Sequence, residues 1–495
     1  MLDTFQQIDW VALLRALMPL FVILLAAGAA LIYAAFSEQR KYVIEAGIAA
    51  VGLVIAIACA WHLWPLALAV KGTTLATDRL AMVGIIIVGI STVFVTVISP
   101  AYFTAREECR SGYYALVLLS ALGMSALVLA SDLISMLIAI ETTSLTLYAL
   151  TGYLRKRPAS VEGALKYFIM GAFATAFFCM GIAFIFGSLG STDLNVIANR
   201  SAFVSFGEGR SVFLFGLAMI VAGLAFKVAA VPFHAWAPDA YDGAPTPVSM
   251  LLATAAKAAA FIAFLRLALA IAGPGGLMWH HLAWGLSAAT IIWGNLAALR
   301  QQNIKRMLAY SSIAHAGYML IAFPLLAMAP VAMARALMLY LVAYVISTAG
   351  AFAAVSAFGL APGEPVDIRH LSGFSKKKPL LSAGFALFLI SLAGFPPTLG
   401  FFGKYYLFME AVKAGDVGLV VLAVLGTVVS VYYYLRPVVV MYMRKEIEKE
   451  MTAASSSNPA AYTAVITVLA LAALAIIVFG ILPQDLVALI QASAQ

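Results

Sequence analysis

From residue 12 to residue 482 the chain alternates long apolar runs with short polar interruptions. Fourteen runs are countable, at 12–36, 42–62, 80–98, 113–130, 132–153, 162–188, 211–235, 246–271, 280–299, 303–323, 331–359, 380–411, 417–442 and 460–482. A bilayer core about 30 Å thick is crossed by about 20 apolar residues in helical conformation. The runs are continuous rather than alternating apolar with polar, which excludes a transmembrane barrel, whose strands alternate lumen-facing and lipid-facing residues. The pattern predicts an all-α polytopic membrane protein with about 14 transmembrane helices.

Three of the runs are irregular. The seventh and eighth flank "VPFHAWAPDAYDGAPTP", and the twelfth is interrupted by "AGFPPTLGFFGK". Proline removes a backbone donor and clashes with the preceding turn, so the seventh, eighth and twelfth helices are expected to be broken. Broken backbone is tolerated at membrane depth only where protein or a water-filled cavity covers the freed polar groups.

Composition agrees with the pattern. Of 495 residues, 64% are hydrophobic and 11% charged, against about 25% charged in soluble domains. The net charge of +8 does not indicate a nucleic-acid partner, because no basic stripe with interleaved aromatics occurs. The basic residues sort by side instead. Loops after odd-numbered runs hold 17 of them, including Arg40, Lys41, Arg155, Lys156, Arg157, Lys305, Arg306, Lys376, Lys377 and Lys378; loops after even-numbered runs hold 6. By the positive-inside rule the odd loops are cytoplasmic, and both termini face the periplasmic side. Arg15, Lys166, Arg266 and Arg436 lie near helix ends, where they can snorkel. Cys59, Cys109 and Cys179 lie far apart without a CxxC pair, and neither a dinucleotide-binding nor a Walker A motif is present, so no metal, cluster or nucleotide site is expected in the chain. The start, "MLDTFQQIDW", lacks the basic n-region of a signal peptide.

An internal repeat organises the middle of the chain. "ALKYFIMGAFATAFFCMGIAFIFG" at 164–187 resembles "ALMLYLVAYVISTAGAFAAVSAFG" at 336–359, an offset of 172. Similar offsets bring Lys227 near Lys404, and Glu141 near His315. The division is 1–112 (helices 1–3), 113–272 (first repeat, helices 4–8), 273–445 (second repeat, helices 9–13) and 446–495 (helix 14). Five helices per copy makes the copies inverted, and inverted repeats with broken helices near the midplane mark transporters.

Five ionisable residues lie inside apolar runs: Glu141, Lys227, Lys257, His315 and Lys404. A charge at such depth costs about 2.5 kcal/mol or more by insertion scales and marks an ion path by default. Burial disfavours a lysine's proton and a nearby carboxylate favours it, so a Glu141–Lys227 pair would make a switchable proton site. Ser144 shares a face with Glu141 and offers a hydroxyl partner. His315, in "SSIAHAGY", suits relay near neutral pH. Asp239 and Asp242, in "APDAYDG", read as cap or turn residues of the break. A single buried lysine also fits a static ion pair, and His315 a satisfied core histidine; the five together point to protons. A charged lysine offers no lone pair to sodium.

At these residues the chain resembles the antiporter-like membrane subunits of respiratory complex I, which are related to subunits of Mrp-type Na⁺/H⁺ antiporters. The resemblance rests on "FKVAAVPFHAWAPDAYDGAPTPVSMLLATAAKAAAF", Glu141, "NIKRMLAYSSIAHAGYML" and "GFPPTLGFFGKYY", and spans roughly helices 4 to 13. Lysine at 404 sets the chain apart from the M-type branch, which usually has glutamate there. Its end at Gln495, about a dozen residues after the fourteenth run, sets it apart from the L-type branch, which continues into a long amphipathic helix.

The resemblance implies roles for single residues. Glu141 modulates Lys227, Lys257 connects, Lys404 is the terminal station and His315 lies between half-channels. It implies proton movement from cytoplasm to periplasm in the inner membrane of a bacterium. NADH, FMN, iron–sulfur clusters and quinone would be held by partner subunits, and the neighbours would be an M-like subunit and small K- and J-like subunits. The competing function is an Mrp-type cation/proton antiporter, which predicts the same buried charges with different partners; a third reading is a membrane scaffold with static lysine pairs.

Overall fold

The computed structural model describes residues 10–36, 42–66, 74–104, 112–204, 209–358, 367–444 and 459–493. All regular structure among them is helical. Among the described residues, twelve helices are long and apolar enough to cross a membrane. The remaining two spans are the shorter helix Tyr113–Leu129 and the broken pair Pro379–Ala393 and Leu399–Lys413. Together they reproduce the fourteen predicted runs, most ends within a few residues. We number the spans first to fourteenth accordingly.

Burial separates the spans into two groups. The third (Arg79–Thr104), eighth (Thr246–Ala272), tenth (Ile304–Leu325) and eleventh (Pro330–Phe358) are mostly enclosed by protein. The first (Met18–Phe36), sixth (Pro158–Leu189), thirteenth (Val417–Met443) and fourteenth (Tyr462–Ile481) turn most of their surface outward. The fourteenth packs on the third and the eleventh, tying the two ends of the chain to the centre. Outward faces carry large apolar residues such as Phe173, Leu425 and Val428. This is the arrangement lipid demands, since hydrocarbon offers no reason to hide apolar side chains.

The helix breaks follow one plan. The seventh span (Arg210–Val228) ends at Ala229, φ 58°, and the chain restarts after Pro232 as the short helix Trp236–Gly243. The first half of the twelfth span ends at Gly394, φ 88°, and restarts after Pro396 and Pro397 as Leu399–Lys413. A left-handed residue caps a helix by turning its N–H back onto the last carbonyls; Ala229 does so on Ala225 and Phe226, and Gly394 on Ile390 and Ser391. Glycine is the ordinary occupant of such a position, and a residue with a Cβ there is uncommon. Backbone groups left over are covered by side chains, as burial requires. Trp236 Nε1 donates to Phe226 O at 3.0 Å, and Thr290 Oγ1 accepts from Val231 N at 3.0 Å. The two halves of the twelfth span cross closely: a Cβ on Gly400 would lie 1.9 Å from Ser391 O.

The eighth span departs from expectation. It is not broken but carries one π-helical turn, Leu252–Ala256, immediately before Lys257. Widening the helix by one residue per turn is a less drastic way than a proline break to re-aim a side chain, and such turns recur at functional sites. Four short helices among the described residues did not stand out in the apolar pattern: Leu194–Val204, Trp236–Gly243, Phe374–Lys377 and the amphipathic Pro483–Ser493, which packs on the eleventh and fourteenth spans.

Candidate functional site: a buried lysine and hydroxyl chain

The fifth span (Leu133–Thr151) supplies the first group. Asp132 caps it by accepting from Ile134 N and Ser135 N. Glu141 lies in mid-helix, half-buried, and accepts a hydrogen bond from Thr175 Oγ1 of the sixth span at 2.6 Å. Lys227, at the last turn of the seventh span, donates to Ser144 Oγ at 2.6 Å. The Ser144 hydroxyl in turn donates to Ile140 O. The expected Glu141–Lys227 pair is therefore not a direct salt bridge: no described ion pair joins the two, and Ser144, one turn from Glu141, stands at the ammonium instead. Their coupling is through space, which at low local dielectric still carries several times the energy it has in water.

Lys257 is enclosed, at 2% exposure. It reaches across to the tenth span, where its Nζ donates to Ser312 O at 2.7 Å and Ser312 Oγ at 2.5 Å. The same hydroxyl accepts from Tyr344 at 2.7 Å and lies 3.4 Å from the Tyr241 hydroxyl. No carboxylate takes part in these contacts.

One turn along the tenth span, His315 is 4% exposed. Both ring nitrogens are engaged: Nδ1 lies 2.8 Å from the Tyr340 hydroxyl and Nε2 3.0 Å from the Tyr434 hydroxyl. The Tyr434 hydroxyl also bonds Ser311 Oγ. A neutral imidazole has one donor and one acceptor nitrogen, so one tyrosine donates to the ring and the other accepts from it. Reversing the tautomer reverses both bonds. The Tyr340–His315–Tyr434–Ser311 chain thus has two states of equal connectivity, the property a proton wire needs.

Lys404, 4% exposed, donates to Ala393 O at 2.9 Å, a carbonyl released by the twelfth-span break, and lies 5.1 Å from the Tyr318 ring centre. Tyr318 is linked through Asn295 to Tyr433 by bonds of 3.0 and 3.1 Å. A cavity of about 520 Å³ between the twelfth and thirteenth spans reaches Lys404 and is lined by Gly394, Phe401, Phe408 and Val428.

The five predicted residues thus fall into two groups. Glu141 and Lys227 share the Ser144 end, while Lys257, His315 and Lys404 are strung along one face of the tenth span. Tyr340, Tyr344, Tyr434 and Ser312 complete the second group and were not singled out by the sequence. Tyr340 and Tyr344 occupy positions i and i+4 of the eleventh span, which puts both hydroxyls on one face.

Charges at the odd-loop end also sit differently from expectation. Lys305, assigned to a loop, is 1% exposed and donates to Ala244 O at 2.6 Å. Asp239 does not cap the break; it pairs with Arg306 at 2.5 Å and Lys166 at 2.8 Å, and Lys166 also pairs with Glu162 at 2.7 Å. Asp242 accepts from Asn303 Nδ2 at 2.8 Å, while Asn303 caps the tenth span. Burial works against the Asp239 charge, but Lys166 and Arg306 outweigh it and hold the carboxyl below the usual carboxylate range. At the other end Arg266 bonds both oxygens of Asp78, at 2.6 and 2.8 Å, and Val128 O at 2.9 Å. Cys109 lies outside the described residues.

Comparison with known proteins places this arrangement. Residues 130–430 match the family described as NADH:quinone oxidoreductase/Mrp antiporter, TM. The chain belongs to that family. The matched stretch runs from the fifth span into the thirteenth and contains every one of the five residues. A relative from Solibacter usitatus, NADH-quinone oxidoreductase subunit N 1, is 42% identical over 441 residues, covering 88% of each chain. A chain in the structure of respiratory complex I from Thermus thermophilus superposes on this member of the NADH:quinone oxidoreductase/Mrp antiporter family with TM-score 0.79 at 35% identity, covering 96% of this chain and all of that one. A chain of the Mrp complex from Dietzia superposes with TM-score 0.82 at 21% identity, a likeness of fold.

Proposed function

We propose that this chain is a proton-translocating subunit in the membrane arm of a bacterial NADH:quinone oxidoreductase, of the type called subunit N in its relatives. The observation that carries the reading is the two clusters of ionisable groups at depth, part-buried Lys227 with Glu141 beside Ser144 and buried Lys257, His315 and Lys404 along the tenth span, each linked or flanked by hydroxyls and lying near the two helix breaks. Protons are taken up from the cytoplasmic, odd-loop side and released on the periplasmic side, where both termini lie. The helices of 113–272 and 273–445 act as inverted copies, each contributing one broken span.

Each residue has a task in this reading. Glu141 sets the proton affinity of Lys227 by its charge, at one remove across Ser144. Lys257 passes protons to the tenth span through Ser312. His315 moves them between Tyr340 and Tyr434 by exchanging tautomers, and Lys404 is the last station before release. The chain contributes no redox centre. NADH, FMN, iron–sulfur clusters and quinone belong to partner subunits, and an M-like subunit and small K- and J-like subunits are its neighbours. An Mrp-type antiporter subunit shares the fold, but the 42% identity to a subunit N relative over most of both chains favours the oxidoreductase.

The test is Lys227→Ala in the assembled complex, with NADH–quinone electron transfer and proton pumping measured on the same membranes. Strong loss of both with the complex intact supports a proton station coupled to redox chemistry elsewhere. Loss of pumping per electron alone supports an uncoupled channel. Unchanged electron transfer and pumping would leave Lys227 a static lysine and overturn the mechanism. Failure of the chain to copurify with NADH dehydrogenase activity would favour the antiporter.

A further inference from the structure

A second cavity lies far from the lysine chain. It has a volume of about 500 Å³ and opens between the first, fourth (Tyr113–Leu129) and fifth spans. It is lined by Leu24, Gly28, Ala115, Leu119 and Ala149 and by the exposed Arg155. Gly28 is open: a Cβ there meets nothing within 4 Å. Arg155 is followed by Lys156 and Arg157, so three cations stand in a row here. Among the described residues the Arg155 guanidinium has no hydrogen-bond or ion-pair partner.

Shape and charge together select an occupant. A spanning helix is a cylinder about 10 Å across and 30 Å long, roughly 2,400 Å³, several times the cavity. A single hydrocarbon chain of about 16 carbons, at about 30 Å³ per methylene (close to the share of one water in the liquid), fills roughly 500 Å³. An apolar lining with small residues among it fits such a chain, and basic pockets between spans take anionic headgroups. Arginine's planar fork suits a phosphate oxygen pair. We propose that this groove seats one acyl chain of an anionic phospholipid, with the lipid phosphate on Arg155.

The test uses the purified full complex in nanodiscs of phosphatidylcholine containing a trace of phosphatidylglycerol with a photoactivatable group in mid-chain, with labelled peptides mapped by mass spectrometry. The expected result is preferential labelling of the segments around Leu24–Gly28 and Ala115–Leu119. Gly28→Leu, whose Cβ meets nothing within 4 Å, places a side chain in the groove and is expected to reduce that labelling about tenfold, while leaving labelling of the outer face of the thirteenth span unchanged. Arg155→Gln is expected to lower phosphatidylglycerol labelling to the level of the matching phosphatidylcholine probe. Equal labelling by both probes, insensitive to Gly28→Leu, would overturn the proposal. Loss of the preference for phosphatidylglycerol in excess inorganic phosphate, with chain labelling also lost, would assign the site to free phosphate instead. Labelling seen in the isolated chain but absent from the complex would show that a protein segment covers the groove.

Discussion

Lys257 and Ser312 meet across the interface of the eighth and tenth spans, the ammonium donating at once to the serine carbonyl at 2.7 Å and to its hydroxyl at 2.5 Å. Because that hydroxyl also receives Tyr344, the lysine is joined to the tenth span and to the tyrosines of the eleventh through one oxygen. The π turn just before Lys257 is the local distortion that aims it there.

Ser312→Ala removes the shared hydroxyl and leaves Lys257 a single carbonyl acceptor. A hydrogen bond to a charged group contributes about 1.5–3 kcal/mol, so proton translocation is expected to fall by at least about tenfold with assembly retained. The measurement is NADH-driven acidification of inverted membrane vesicles, normalised to the amount of assembled complex. Ser312→Thr, which keeps the hydroxyl, is expected to recover most of the rate; equal pumping in the wild type and Ser312→Ala would show that the hydroxyl plays no part.

The Tyr340–His315–Tyr434 chain makes a prediction about additivity. Tyr340→Phe and Tyr434→Phe each remove one hydroxyl from a wire in series. Either alone is expected to slow pumping strongly, and the double variant to be little worse than the slower single. Groups in one network couple, whereas independent sites add. A double-mutant cycle on pumping rate decides the matter: full additivity would mean that the two tyrosines only hold the ring in place.

Asp239 supplies a pH dependence with a definite sign. Its folded-state carboxyl is held below its ordinary value by Lys166 and Arg306 against the opposing effect of burial. A depressed carboxyl contributes stability that is present above the unfolded value, about 3.9, and is lost as pH falls through the folded one. Thermal melting of the purified complex is expected to drop below about pH 4 more steeply in the wild type than in Asp239→Asn. At neutral pH the variant is expected to melt lower, because Arg306 and Lys166 lose a charged partner. Parallel pH curves for the two proteins would remove Asp239 from the account.

Much of this was legible along the chain because lipid imposes a one-dimensional rule. Every span must satisfy its own backbone, so length and polarity alone locate Tyr42–Leu63 or Val417–Met443. A lysine inside such a run stands out at once, as do the prolines at 232, 396 and 397. Lys305 was misread for the same reason. Near a helix start, sequence does not distinguish a loop cation from one folded inward onto Ala244 O. Tyr340 and Tyr434 escaped notice because a tyrosine is as much apolar body as polar tip, and only its neighbours reveal which end matters.

By itself the sequence determined the all-helical membrane class, the fourteen spans, the breaks at the seventh and twelfth spans (though not the unbroken π turn of the eighth) and the five ionisable residues within the spans. All of these follow from local cost: an apolar run, a missing N–H or a buried charge is expensive wherever the rest of the chain lies. Tertiary structure alone decided which oxygen each ammonium reaches. It put Ser144 at Lys227 in place of a direct bond to Glu141, Ser312 at Lys257, two tyrosines on His315 and a released backbone carbonyl at Lys404. The side-chain partners come from other spans, up to 119 residues away in the chain, the carbonyl at Lys404 from the other half of its own broken span, and a hydrogen bond is settled by tenths of an ångström that only the packing of whole helices fixes.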